Sequence, residues 1–236
     1  MNLILIDERG EMQELSKREA NKKKKREDLL KAAEQLILDT GTTDFSMVKL
    51  AKLAKVGEVT PYKYFETKMG LLVELHQDRT ADVFDGLDDF DEIRADGLAL
   101  TLQFSSRATD SYCAREGLFR PLIAGIFKLA PEQISHESIS HDWIQGWSKR
   151  LKIAETANQL SDFASIDLLA RALHMMSIGT MIKWAFYETD NEQVVADMNY
   201  GVLCILASAS SSDERDRLQR ELIKAQKKSL KLLRRS

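Results

Sequence analysis

The chain is 236 residues long, with 44% hydrophobic and 30% charged residues. That balance excludes a disordered chain or a membrane bundle and leaves room for one large domain or a small one joined to a larger. The net charge of −3 averages unlike stretches. Residues 17–68 hold 13 Lys and Arg against 8 Asp and Glu, residues 69–212 hold 11 against 21, and residues 213–236 hold 9 against 4. The small total therefore does not exclude nucleic acid as a partner, because phosphate binding depends on the local patch.

Three prolines, eleven glycines and apolar residues recurring at spacings of three and four predict an all-α chain. The opening apolar run Leu3–Ile6 is too short for a signal or spanning segment, so a cytoplasmic protein without membrane attachment is expected. Residues 1–23 lack a continuous apolar stripe and read as a flexible arm leading into the cluster Lys22, Lys23, Lys24, Lys25 and Arg26. Basic arms of this kind neutralise phosphates, although a charge run near a terminus is as readily just solvated. The first helix follows, with Leu29, Leu30, Ala33, Leu36 and Ile37 on one face and Gly41 where a helix end favours a left-handed residue.

Next, Ser46 is placed to cap a second helix over Met47 to about Ala54, with Phe45 ahead of the cap poised to pack on Leu50. A turn at Lys55-Val56-Gly57 leads to a third helix from about Glu58, where Pro61 is tolerated in the first turn. Two short helices joined by a three- or four-residue turn, directly after a basic amphipathic helix, define helix-turn-helix geometry. On a recognition helix this short, Glu58, Val59, Thr60, Tyr62 and Lys63 are the residues to face DNA.

The run from Phe45 to Leu72, and above all Thr60-x-Tyr62-x-Tyr64-Phe65-x-x-Lys68, resembles the DNA-binding head of the tetracycline-repressor (TetR) family. The resemblance is close over about residues 24–75; beyond that it extends only to length, helical character and order of elements. It implies that Thr60, Tyr64 and Lys68 touch phosphates, that Tyr62 and Lys63 approach the groove, and that Lys25 and Ser46 lie at the same interface. The alternative for Tyr62 and Tyr64 is simple packing in the head. Two positions depart from the family pattern: Lys55 stands where a turn glycine is usual, and Gly57 where a serine or threonine caps the recognition helix. A left-handed Lys55 costs on the order of 1 kcal/mol. Gly57 gives up a few tenths as a cap.

A long helix is expected from Met69 or Gly70, and in the family this helix carries the ligand signal to the heads. Residues 85–97 read as a solvated acidic connection rather than a calcium loop. In the body, the resemblance places an effector cavity among Phe104, Arg107, Phe119, Phe127, Trp143, Trp147 and Met176, although aromatics at helical spacing are equally the makings of plain core. Arg107 or Arg120, if buried, would favour an anionic ligand.

Two stripes, one with Leu168, Leu169, Ala172, Leu173, Met176, Gly179, Thr180 and Lys183, the other with Val195, Met198, Val202, Ile205 and Leu206, are expected as dimer faces, with internal core as the alternative. His136 and His141 lack the spacing of metal ligands on one helical face, and Cys113 and Cys204 stand alone. No metal or cofactor is expected, and the absence of nucleophile and phosphate-loop motifs argues against an enzyme. Residues 213–236 read as a basic amphipathic helix that docks on the acidic body, touches membrane or nucleic acid, or frays.

The expected organisation is thus an arm (1–23), a DNA-binding helix-turn-helix (24–70), a ligand-binding and dimerisation domain (71–212) and a basic helical extension (213–236). The expected function is a regulator, most simply a repressor, that binds a palindromic double-stranded operator as a homodimer and is released by a small-molecule effector. The alternative is an all-helical small-molecule-binding protein or enzyme without specific DNA binding.

Overall fold

The computed structural model describes residues 8–88, 96–128, 136–187 and 189–234. Among the described residues the chain is all-α, with helices α1 (Glu8–Thr40), α2 (Met47–Leu53), α3 (Thr60–Phe65), α4 (Lys68–Asp88), α5 (Gly97–Ala114), α6 (Glu116–Lys128), α7 (His136–Thr156), α8 (Ile166–Phe186), α9 (Asn191–Ala209) and α10 (Ser212–Leu233). The chain divides into two compact units between Leu71 and Leu72.

In the first unit, α1 presents Leu29, Leu30, Ala33, Leu36 and Ile37 to a small core shared with Leu50, Ala51 and Phe65. Gly41 ends α1 at φ +66°, its N–H donating to the Ile37 carbonyl at 2.8 Å. The helix begins at Glu8, not after the lysine cluster as expected. Glu, Gln, Lys, Arg and Ala dominate residues 11–26 and favour helix without needing a buried stripe, so the cluster at residues 22–26 is helical.

In the second unit, α5 and α7 to α9 surround a core that includes Leu98, Phe104, Trp147, Leu151, Leu173 and Val202. Side-chain caps set the helix starts. Asp96 accepts from the Ala99 N–H at 2.9 Å, and Asp190 accepts from the Gln193 N–H at 2.7 Å. Gly97 marks the closest approach of α5 to α7, since a Cβ there would fall on the Ala154 backbone.

The basic extension docks rather than frays. Leu218 and Ala225 join the core of the body, with Leu232 also buried. Arg217 pairs with Asp96, to which Gln159 also donates at 2.8 Å. Burial opposes the Asp96 charge, but the hydrogen bonds from Arg217, the Ala99 N–H and Gln159 outweigh it and hold the carboxyl at about 2. The acidic connection between residues 89 and 95, and the side chains of Pro131, Glu132, His136 and Glu137, lie outside the described residues.

Candidate DNA interface and effector cavity

The helix-turn-helix is built by its caps. Ser46, with extended backbone, accepts the Lys49 N–H on its hydroxyl at 3.1 Å and starts α2. That leaves the Ser46 hydroxyl proton to donate outward. Phe45 and Leu50 are both buried, as a staple requires.

At the other end, Lys55 takes φ +53°, the left-handed conformation expected of it. The Lys55 N–H reaches the Lys52 carbonyl at 3.2 Å and the Val56 N–H reaches that of Ala51 at 3.0 Å, which is a Schellman closure with lysine in the glycine position. The next helix, α3, starts at Thr60, two residues later than expected. Glu58 and Val59 form the preceding turn, which closes through the Thr60 N–H onto the Gly57 carbonyl at 2.8 Å.

Along α3 the side chains sort by face. Pro61 and Phe65 are buried, while Glu58, Val59, Tyr62 and Lys63 are exposed, Val59 at 65% and Tyr62 at 48%. Val59 and Tyr62 thus stand outside the small core of the head. Thr60 and Tyr64 are half-buried at its edges, the Tyr64 ring 6.3 Å from that of Phe65. Lys68 lies over the Phe45 ring at 4.9 Å. Burial lowers the Lys68 pKa from its ordinary value, partly offset by the Asp44 carboxylate. Lys25 is exposed on α1. Gly70 was expected only as a possible helix start, yet a Cβ there would collide with the Phe65 carbonyl.

The second unit contains a cavity with about 650 Å³ of empty space, its open mouth included. Each wall is one helical face. Ser105, Ala108, Thr109 and Tyr112 come from α5, Ile123 and Phe127 from α6, and Trp143 and Trp147 from α7. From α8 come His174, Ser177, Ile178 and Met181, while α4 adds His76 and α9 adds Met198. Of the expected ligand residues, Phe127, Trp143 and Trp147 line this space; Phe104, Arg107, Phe119 and Met176 do not.

The corrections have local causes. Phe104 is wholly buried between Trp147, edge-on at 4.7 Å, and the Arg150 guanidinium at 4.2 Å. Phe119 packs behind the cavity on Tyr112, at 4.6 Å. Arg107 is half-buried but not part of the wall. Met176 fills the space over Gly201, where a Cβ would meet its sulfur. Arg120 is committed elsewhere, paired with Glu116 at 2.8 Å, donating to the Thr189 carbonyl and stacked on Trp184 at 4.7 Å.

Four polar atoms of lining residues, His76 Nδ1, Ser105 Oγ, Trp147 Nε1 and His174 Nε2, are enclosed by protein atoms and have no hydrogen-bond partner within the protein. The other ring nitrogen of His76 shares a 3.0 Å hydrogen bond with the Tyr112 hydroxyl. Burial holds the His76 imidazole down at about 4 and lowers that of His174, while it raises the Tyr112 phenol. All three groups are neutral at physiological pH.

Part of the expected dimer stripes faces inward: Leu173 and Val202 lie in the body's own core, and Met198 lines the cavity. Leu169, Met176, Thr180 and Ile205 are half-buried, and Leu169, Met176 and Ile205 pack against that core. Leu168, Ala172 and Gly179 of the first stripe are exposed on α8, with Met175 and Phe186 exposed on the same helix, Leu168 at 69% and Met175 at 66%.

The described residues thus form a helix-turn-helix head followed by an all-helical body that contains a cavity. Residues 29–75 match the model of the family described as bacterial regulatory proteins, tetR family. No curated protein matches the sequence.

Among solved structures, the fold is similar to that of FadR from Thermus thermophilus, a TetR-family repressor in complex with lauroyl-CoA. The TM-score is 0.65 and the identity 16%, covering 77% of this chain and 93% of that one. It is also similar to SmeT, repressor of a multidrug efflux pump in Stenotrophomonas maltophilia (0.61, 18%, 79% and 91%). A third is FadR from Bacillus subtilis in complex with stearoyl-CoA (0.60, 16%, 76% and 96%). At these identities the likeness is one of fold.

Proposed function

We propose that the chain is a ligand-responsive repressor, and not an enzyme, that acts in the cytoplasm as a homodimer on a palindromic operator. The observation that carries this reading is the outward face of α3 and the turn before it, where Val59, Tyr62 and Lys63 stand exposed together directly after the Ser46-capped α2. Lys63 and Tyr62 reach into the major groove with Glu58 and Val59. Thr60, Tyr64, Lys68, Ser46 and Lys25 hold phosphates. Residues 24–70 serve as the DNA-binding domain and residues 71–212 as the effector and dimerisation domain. Among the described residues no helix is long and apolar enough to cross a membrane.

One head reads only a half-site, so operator recognition requires two copies. The exposed apolar face of α8, from Leu168 to Phe186, is the surface through which they pair. Two fold neighbours described with acyl-CoA support control by a small molecule held in the body. Helix α4 supplies Lys68 to the first unit and His76 to the cavity wall, which makes it the element to carry the signal.

A gel shift tests the reading. The purified protein binds a fragment from its own upstream region more tightly than random DNA at moderate salt; equal binding to both refutes it. Sedimentation at micromolar concentration shows twice the 26.8 kDa chain mass, and a monomer there refutes the dimer.

A further inference from the structure

The cavity walls offer an occupant little besides apolar contact. Among the described residues they contain no lysine, arginine, aspartate or glutamate, so nothing described there offsets the cost of taking a charged group out of water. The polar side chains of the wall are committed to the protein or closed off. Thr109 donates its hydroxyl to the Ser105 carbonyl at 2.8 Å, and Ser177 donates to the Leu173 carbonyl at 2.7 Å. The Tyr112 hydroxyl and His76 Nε2 hold each other. The four unpartnered atoms on His76, Ser105, Trp147 and His174 are enclosed by protein and out of an occupant's reach. Of the side-chain polar atoms in the described lining, that leaves the Trp143 N–H and one ring nitrogen of His174.

The rest of the wall is Ala108, Ile123, Phe127, Ile178, Met181 and Met198 with the faces of the aromatic rings, around about 650 Å³ of empty space, its open mouth included. Close-packed interiors leave few voids larger than a water molecule, so a space of this size is not a packing defect. Water is held poorly where polar partners are few, whereas dry apolar cavities take up apolar molecules.

We propose that this cavity takes an uncharged, hydrocarbon-rich molecule, recognised by its shape and apolar area and not by hydrogen bonds from the wall. This rests on the effector-controlled repressor reading and names the ligand class of that site. Affinity then follows the apolar area removed from water, a charge of either sign weakens it, and loss of a wall hydroxyl leaves it unchanged.

Two dyes, N-phenyl-1-naphthylamine and 8-anilino-1-naphthalenesulfonate, share their ring systems, differ by one sulfonate and both brighten on leaving water. Titrating each into the full-length protein isolates the effect of charge. The expected result is saturable binding of the uncharged dye, with the sulfonate at least about tenfold weaker. Decanol displaces the bound dye, and decylammonium does so at least about tenfold less well. Phe127→Ala and Met181→Ala, at wall positions outside the fully buried core, each weaken the dye about threefold to tenfold. Thr109→Val and Ser177→Ala leave its affinity within about twofold. Circular dichroism shows which variants are folded, and only those are compared.

Equal or tighter binding of the sulfonate or of decylammonium overturns the proposal. So does a loss of more than about fivefold in both hydroxyl variants, which makes hydrogen bonds the basis of recognition. Unchanged affinity in both Phe127→Ala and Met181→Ala, or no dye binding by the folded protein, overturns it as well. A parallel gel shift separates this proposal from the reading beneath it. Decanol binding that leaves the operator complex intact supports the ligand class and refutes effector control, whereas operator release by decylammonium and not by decanol refutes the class and supports the control.

Discussion

In the first unit, Glu58, Val59, Tyr62 and Lys63 face outward from a small core made by other residues, whereas in the second, Ser105, Trp147, His174 and His76 face inward among the residues that hold the body together. The contrast decides how each region responds to change. The outward side chains of the head can be altered with little effect on folding, because few of their atoms are buried. In the body, the cavity and the core share the same walls.

The sharpest way to break the body alone is at Gly97, where α5 crosses α7 so closely that a Cβ would fall on the Ala154 backbone. Backbone cannot swing aside as a side chain does, so Gly97→Ala costs up to about 3 kcal/mol, or more if the helices cannot separate. Urea unfolding followed by tryptophan emission checks it, since all three tryptophans lie in this unit. A loss below about 0.5 kcal/mol would show that the crossing adjusts freely.

Acid sharpens the contrast further. His76 is buried and its folded pKa is about 4, below the ordinary value near 6.5. Between those values the unfolded chain binds a proton that the folded chain refuses, so the contribution is complete above about pH 6.5 and falls away as pH drops towards 4. The expected loss over that window is on the order of 2–3 kcal/mol. His174, shifted the same way, adds to it. Denaturation curves at pH 7 and pH 4.5 measure the slope, and His76→Phe reduces it; an unchanged slope would place the acid sensitivity elsewhere.

In the head, two substitutions on α3 should separate by role. Lys63→Ala is expected to cost roughly 1–3 kcal/mol on the operator and much less on random DNA, because a base-edge contact is lost. Tyr64→Phe is expected to weaken all sequences alike by roughly 0.5–1.5 kcal/mol, one phosphate hydrogen bond, while the half-buried ring keeps its packing. Binding isotherms on operator and scrambled duplex distinguish them. Unchanged affinity in both variants would remove α3 from the interface.

The head was legible because its signals are local. A cap, a turn and a face lie within a few residues of one another, and the left-handed Lys55 stands where the resemblance places a turn glycine. The body was legible as helices but not as a site. Apolar spacing shows that Leu173, Met198 and Val202 share a buried face and is silent on whether a second copy, a neighbouring helix or a cavity covers it. Helix α8 presents three faces at once: Leu173 to the core, His174 and Ser177 to the cavity, Leu168 and Met175 outward. The histidines of the wall carried no motif, and only the convergence of α4, α5, α7 and α8 makes them a cluster. One faint signal was present, since Ser105, Thr109 and Tyr112 recur on one face of α5 and Trp143 and Trp147 sit one turn apart on α7.

The smallest expected effect tests whether the recognition helix is held by its turn or by its core. No side chain caps α3, whose N-cap position is Val59, and the turn into it is closed by the Thr60 N–H on the Gly57 carbonyl at 2.8 Å. A Cβ at Gly57 would meet nothing closer than the Thr60 hydroxyl at 3.6 Å, an ordinary contact, and its φ lies outside the left-handed region. Gly57→Ser therefore fits without strain and brings an acceptor within reach of the amides at the start of α3. A serine cap in place of glycine should stabilise the head by a few tenths of a kcal/mol. Because the new hydroxyl orders a helix that must already be helical on DNA, operator affinity should rise slightly or stay level while random-DNA binding is unchanged. Amide exchange at Thr60 and Tyr62 measures the effect most directly. Slower exchange in Gly57→Ser identifies the turn as the weak point of the head. Unaltered exchange assigns the rigidity of α3 to the burial of Pro61 and Phe65.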